Sequence, residues 1–120
     1  MRQGVVLCST DSTAAAFVRD LVEYVRAAPL LWTERGRTCV AVASGTRRRR
    51  LVIIDGDPPD QSMGTLIEAI RLVDTDVPIV LVGAQAGVGS KLGRVVACTG
   101  PLVRSTTEQI LLVVLAESAP

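Results

Sequence analysis

The feature that most constrains the fold is a series of short, uninterrupted apolar runs rich in β-branched residues. None of the runs alternates between apolar and polar positions, as a strand with one wet face would. Strands that are covered on both faces, as in a parallel sheet, have this continuous pattern. The sequence therefore predicts five buried strands, of which the second is the weakest, at residues 5–8, 30–33, 51–54, 78–82 and 95–98.

Amphipathic helical patterns separate these runs. Residues 13–27 and 63–73 each place their apolar side chains on one face, and Ser62 is suited to cap the second of these helices. A short helix is predicted at 38–44, and residues 105–116 begin with the spacing of a capping box. Strands that alternate with helices predict an α/β fold with a parallel sheet and right-handed crossovers.

The number of strands and the chain length indicate a particular α/β architecture. Five strands in 120 residues suit a flavodoxin-like three-layer sandwich with strand order 2-1-3-4-5. We expect residues 1–120 to form a single domain, because no linker or internal repeat interrupts the pattern. Residues 83–93 are glycine-rich and too few for a full crossover helix, so the fourth crossover is predicted to be shortened to a loop or a single turn.

The composition excludes several kinds of function. The chain has no His, which removes the usual general base, metal ligand and partner of a nucleophilic Ser or Cys. Three aromatic residues do not make a base-stacking platform, and a net charge of +1 argues against electrostatic binding of nucleic acid. The longest apolar run, residues 110–116, is far shorter than the ~20 residues that span a bilayer. We therefore expect no enzyme activity, no direct nucleic-acid contact and no membrane contact.

The cysteines indicate where the protein works. Cys8, Cys39 and Cys98 are odd in number and lie inside apolar segments. This usage is typical of buried, reduced thiols rather than of a disulfide framework. We therefore expect a cytoplasmic protein.

Three aspartates fall at the carboxyl ends of predicted strands, where ligands gather in this architecture. Asp11 follows the first strand, and Asp55 and Asp57 follow the third. Clustered carboxylates suit a hard cation such as Mg²⁺, which would bind weakly here, and one of them is also a candidate nucleophile toward phosphate. No other cofactor is expected. The structural alternative, which the chemistry alone favours, is that Asp11 caps the first helix and residues 57–60 form a turn.

Over nearly its whole length the chain resembles the receiver domain of two-component response regulators, which has a flavodoxin-like, or CheY-like, fold. Asp55 ends the third strand and has Pro59 four residues later, as the phosphoaccepting aspartate of that family does. Thr10-Asp11 stands in the region of the family's acidic pair, so one of two acids is kept. The resemblance thus implies that Asp55 holds the phosphoacceptor position. Further matches to glycines and a proline of the family are Gly36, Gly64 and Pro101.

The departures from the receiver pattern concern the switch. Gly83 stands where the family has Thr or Ser, Gly100 where it has a Lys that contacts the phosphoryl group, and Ala97 where it has the switch aromatic. The only lysine, Lys91, lies in the glycine-rich segment instead. A phosphoryl switch needs a cation to balance the bound charge and a hydroxyl that moves toward it. The chain therefore resembles a degenerate receiver, or pseudo-receiver, similar to the shortened domain that precedes the ATPase domain of sigma-54-type transcription activators.

This resemblance predicts a non-catalytic signalling module that acts by protein–protein contact, as part of a transcriptional regulator whose phosphorylation switch is lost. Its partners would be a C-terminal output domain, another signalling protein or a second copy of the chain. The alternative is a phosphorylatable receiver or phosphocarrier, with Asp55 or Cys8 as the phosphoacceptor. A shortened fourth helix would expose the last helix, and an exposed apolar patch marks an interface. The predicted homodimer interface comprises Leu102, Val103, Ile110, Leu111 and Val114.

Overall fold

The computed structural model describes residues 4–24, 29–44 and 49–83, together with the backbone of 95–98. Several predictions lie outside these residues. They concern the shortened fourth crossover, the switch position at Gly100, the side chain of Ala97 and the interface between residues 102 and 114.

The described elements alternate between strand and helix, as the sequence predicts. Their order is β1 (Val5–Cys8), α1 (Ser12–Tyr24), β2 (Leu30–Thr33), α2 (Gly36–Ala43), β3 (Leu51–Asp55), α3 (Met63–Val73), β4 (Ile79–Val82) and β5 (Val95–Cys98). Strands β1 to β4 each lie within one residue of their predicted bounds, and α3 has the predicted bounds. Among the described residues, no helix combines the length and the apolar character needed to cross a membrane.

All strand pairs are parallel, and the sheet order is β2-β1-β3-β4-β5. Val5 of β1 lies opposite Leu30 on one side and Leu51 on the other. Asp55, at the end of β3, lies opposite Val82 at the end of β4. The order of the first four strands confirms the predicted flavodoxin-like sheet, and the backbone of 95–98 is placed beside β4.

Two apolar layers cover the two faces of the sheet, which explains why the strands are continuously apolar. Successive strand residues alternate between the layers: Val5 and Leu7 pack toward α1, whereas Val6 and Cys8 pack toward α2 and α3. Fully burying a Val, Leu or Ile side chain stabilises a fold by about 1.5–3 kcal/mol, so the buried strand residues contribute strongly to stability. The α1 layer comprises Val5, Leu7, Ala15, Val18, Leu21, Val22, Leu51, Ile53, Val80 and Val82.

Helix α2 begins two residues before its predicted start. Its N-cap residue, Arg35, makes no capping hydrogen bond with its side chain. Instead, the carboxylate of Asp60 accepts hydrogen bonds from the backbone N–H of Gly36 (2.8 Å) and of Arg37 (3.0 Å). The group that stabilises this helix end comes from the loop after β3. The local sequence around residue 36 therefore does not reveal it.

Candidate functional site

The candidate phosphoacceptor, Asp55, is half-buried at the carboxyl end of β3, and its carboxylate is joined to β1. Its Oδ2 accepts a hydrogen bond from the Oγ of Ser9 at 2.8 Å. Ser9 follows β1 directly and is only 3% exposed. Because the acceptor is a carboxylate, this is a charge-assisted hydrogen bond, the stronger class of such contacts. The carboxyl ends of two central strands are thus linked through one buried hydroxyl.

The orientation of Ser9 is fixed by its neighbours. Its backbone N–H donates to the carbonyl oxygen of Thr33 at 3.0 Å, and its own carbonyl accepts from the indole Nε1 of Trp32 at 2.8 Å. Its Oγ accepts from the backbone N–H of Asp11 at 3.1 Å. A serine hydroxyl has one proton to donate, and here that proton goes to Asp55. Ser9 therefore presents a single donor to this carboxylate from a constrained position.

The other two candidate metal ligands bond to helix N-termini. Asp11 Oδ1 accepts from the N–H of Thr13 at 2.9 Å, as the structural alternative predicts, and Asp57 Oδ1 accepts from the N–H of Met63 at 2.8 Å. Each of the three carboxylates has a protein donor of its own. Within the described part of the chain, no group of three or more His, Cys, Asp or Glu side chains is placed to hold a metal ion. The described side chain that meets Asp55 is the neutral hydroxyl of Ser9.

A fourth carboxylate, Asp60, accepts hydrogen bonds from two backbone N–H groups, one on each of its oxygens. Its hydrogen bonds from the backbone N–H groups of Arg37 and Gly36 hold the pKa of its carboxyl below the usual range. Hydrogen bonds to the ionised form favour that form, which is the direction seen here. The loop that follows Asp55 is therefore pinned to α2 by an ionised side chain.

The residue directly after β4 is a glycine, which has no side chain. Gly83 has a φ of +74°, a backbone conformation that L-residues with a side chain rarely adopt. No described atom lies within 4 Å of the place where a Cβ would stand, so the constraint is conformational rather than steric. At this position the receiver family has a hydroxyl. A Thr or Ser here would have to adopt a strained backbone or rearrange the strand end.

The second candidate phosphoacceptor, Cys8, lies inside the core. Its side chain is 1% exposed and is hydrogen-bonded to Cys39 of α2, which is 0% exposed. The hydrogen bond to Cys8 and burial raise the pKa of the Cys39 thiol. Both cysteines are free thiols. A phosphate donor has no direct access to Cys8 in this arrangement.

Three residues of the site were not singled out by sequence reasoning: Ser9, Trp32 and Asp60. The signal for Ser9 was its place directly after β1, since the first residue past a strand lies nearest to the neighbouring strand end. The structure places Ser9, rather than Asp11, against Asp55. Trp32 bonds to a residue 23 positions away in the sequence, and Asp60 bonds to one 24 positions away. A local sequence pattern does not reveal contacts of this range.

Comparison with solved structures shows that the fold of this chain is similar to that of receiver domains. The chain is similar to a response regulator receiver domain from Methylobacillus flagellatus, with a TM-score of 0.76 and 21% identity over 95% of this chain and 99% of that one. It is similar to one from Methanospirillum hungatei, with a TM-score of 0.83 and 12% identity over 98% and 97% of the two chains. A third is the receiver domain of a Pseudomonas aeruginosa sensor histidine kinase with a magnesium ion coordinated in its active-site cleft. Its TM-score is 0.77, with 17% identity over 97% of this chain and 99% of that one.

No protein-family model matches the chain, and no curated protein matches it. The likeness to solved structures, at 12–21% identity, therefore concerns the fold. That fold is the CheY-like receiver fold of two-component signalling.

Proposed function

We propose that this chain is a non-catalytic signalling module of the receiver fold, which acts by protein contact and whose phosphorylation switch is lost. The observation that carries the proposal is the hydrogen bond between Ser9 and Asp55. In this chain the carboxylate at the phosphoacceptor position meets a buried hydroxyl from β1. A carboxylate in the place of Ser9 would bring a second negative charge toward a cation. The hydroxyl of Ser9 is neutral and does not.

The charge balance at Asp55 supports this proposal. Phosphorylation would bring a charge of about −2 to the end of β3, which needs a cation or several donors nearby. Ser9 offers one donor, and it is already engaged with the unmodified carboxylate. On the neighbouring strand, Gly83 offers no side chain that moves toward a phosphoryl group. Phosphorylated Asp55 would therefore gain few contacts that unmodified Asp55 lacks. A modification shifts the equilibrium between two conformations only by the difference in its interactions with them, and that difference would be small here.

The test uses Trp32, the only tryptophan of the chain, as a reporter beside the site. Its indole N–H bonds to the carbonyl of Ser9, so its NMR signal reports any change around Asp55. Beryllofluoride with Mg²⁺, a phosphoryl mimic, is added to the wild type and to the Asp55→Asn variant. We expect no saturable shift in either. A saturable shift in the wild type that Asp55→Asn abolishes would contradict the proposal.

A gain-of-function variant shows whether the reporter responds at all. Ser9→Asp places a second carboxylate against Asp55, and paired carboxylates suit Mg²⁺. We expect a Mg²⁺-dependent shift of the Trp32 signal in Ser9→Asp. Adding Asp55→Asn to this variant should remove the shift. If wild type and Ser9→Asp respond to Mg²⁺ equally, the hydroxyl of Ser9 does not account for the missing cation.

The partner assignments of this proposal rest on the sequence. We propose a cytoplasmic protein, for which the free thiols of Cys8 and Cys39 are support, and a homodimer formed through residues 102–116. The expected signature is a dimer mass by light scattering that Leu111→Asp converts to a monomer. A monomer at high concentration in the wild type would contradict the dimer and would leave the Asp55 experiment unaffected.

The competing function is a phosphorylatable receiver with Asp55 as acceptor, since this side chain is only half-buried. Mass spectrometry after exposure to a small phosphodonor distinguishes the two. We expect no added phosphoryl mass. A mass gain of one phosphoryl group that disappears in Asp55→Asn favours the competing function, and a gain that disappears in Cys8→Ser favours a phosphocarrier.

A further inference from the structure

Two cysteines on different elements meet in the core, between the sheet and helix α2. Cys8 is the last residue of β1, and Cys39 lies within α2. Both belong to the buried cluster on that face of the sheet, and their side chains are hydrogen-bonded to each other. Each is a free thiol. A disulfide can form only between cysteines whose side chains point toward each other, and this pair meets that requirement.

Regular secondary structure holds the two thiols face to face. Cys8 is paired with Thr33 of β2 on one side and with Ile54 of β3 on the other. The backbone N–H of Cys39 donates to the carbonyl of Arg35 at 3.0 Å, in the first turn of α2. Both side chains are packed among apolar neighbours. Among the described residues, each cysteine therefore has one thiol within reach, that of the other.

The two thiols differ in acidity. The hydrogen bond from Cys39 lowers the pKa of the Cys8 thiol, while burial opposes this effect. The hydrogen bond to Cys8 and burial raise the pKa of the Cys39 thiol. The thiolate, rather than the thiol, is the nucleophile toward an oxidant. Cys8 is therefore the first of the two to react, and Cys39 keeps its proton until the second step.

Access to the buried pair depends on α2. This helix has 8 residues, and isolated helices shorter than ~12–15 residues are marginal in water. The side chain of its N-cap residue, Arg35, makes no capping hydrogen bond, and its first N–H groups are held by Asp60 instead. A short helix whose first turn depends on a distant acceptor opens locally at a low cost in free energy. Such an opening admits a small, uncharged oxidant to Cys8.

We propose that Cys8 and Cys39 form a redox-sensitive dithiol, which a peroxide converts to a disulfide that ties α2 to β1. The Cys8 thiolate attacks one oxygen of hydrogen peroxide, the O–O bond breaks, and the departing hydroxide takes up the thiol proton. The products are a sulfenic acid and water. The sulfur of Cys39 then attacks the sulfenic sulfur, the S–O bond breaks, and hydroxide leaves as water with the proton of Cys39. Two thiols are thereby oxidised, and one peroxide is reduced to two waters. The chemistry does not involve Asp55, so it is independent of the proposed loss of phosphorylation.

The test treats the reduced full chain with hydrogen peroxide, blocks the remaining thiols by alkylation in denaturant, and maps the products by mass spectrometry. Trypsin separates the three cysteines, because Cys8, Cys39 and Cys98 fall in peptides 3–19, 38–47 and 95–104. We expect peptides 3–19 and 38–47 to be joined, with the loss of two hydrogens, and dithiothreitol to separate them again. Oxidation that stops at sulfinic acids, or that joins either peptide to 95–104, would overturn the proposal.

Variants test the pair and its route of access. Cys8→Ala and Cys39→Ala should each abolish the cross-link, whereas Cys98→Ala, the matched control, should leave it unchanged. Asp60→Ala removes the acceptor at the start of α2 and should speed cross-linking about fivefold, the effect of a lost helix cap on local opening. Asp76→Ala, at an exposed position, should leave the rate unchanged. A cross-link that persists in Cys39→Ala would contradict the pairing, and equal rates in Asp60→Ala and the wild type would contradict access through α2.

Discussion

The carboxyl ends of β3 and β4 lie side by side in the sheet, yet they differ in what they offer. The end of β3 carries a charge, Asp55, whose carboxylate is satisfied by a buried hydroxyl from β1. The end of β4 is followed directly by Gly83, which has no side chain and a backbone conformation that disfavours one. The comparison shows that two neighbouring strand ends of one sheet can differ fully in charge and in hydrogen bonding, while the strands themselves are similarly buried. The architecture of a fold is thus maintained by its core, independently of the chemistry at its edge.

The largest expected effect comes from placing a hydroxyl back at the end of β4. Gly83→Thr forces a β-branched residue into a positive φ, which costs about 1–3 kcal/mol. We expect a lower free energy of unfolding in urea and no gained response to beryllofluoride. Gly64→Ala is the matched control, because Gly64 lies in α3 with no described atom near its Cβ position. That substitution should stabilise the protein by about 0.5–1 kcal/mol. Equal effects of the two would remove the conformational argument for Gly83.

The next effect concerns the satisfied end of β3. Ser9→Ala removes the donor to Asp55 and leaves a half-buried carboxylate without it, for a loss of about 1–2 kcal/mol in the free energy of unfolding. Ser44→Ala removes a hydroxyl that donates to the carbonyl of Ala41 at the exposed end of α2, so it should cost much less. Chemical denaturation at neutral pH measures both. Similar losses would mean that the Ser9–Asp55 contact has no special weight.

The smallest effect concerns Asp60, in the loop between β3 and α3. The pKa of Asp60 is lower in the folded protein than its ordinary value, because two backbone N–H groups bond to the ionised form. Its contribution to stability is therefore present above the unfolded pKa and disappears as the pH falls through the folded pKa. Asp60→Asn should lower the midpoint of thermal unfolding slightly at pH 7 and less at pH 3. Asp76→Asn, which removes a carboxylate at another exposed position, is the matched control.

The sequence was sufficient for the parts of the fold that depend on local patterns. Continuous apolar runs predicted the strands, and Ser62 with the apolar spacing after it predicted α3, where the Oγ of Ser62 accepts from the N–H of Thr65. The start of α2 was placed two residues late, because its capping carboxylate comes from Asp60. The candidate site was likewise predicted only in part. Asp55 was identified, whereas its partner Ser9 was not, because strand pairing alone brings them together.

The contact of Asp60 with α2 also bears on the order of events when the chain folds. The N–H groups at the start of α2 find their acceptor 24 residues further along the chain. While the protein is being synthesised, those residues leave the ribosome well before Asp60 does. We therefore expect the first turn of α2 to be solvated by water until Asp60 is available as its acceptor. We expect the start of this helix to become fixed later in folding than its place in the first third of the chain suggests.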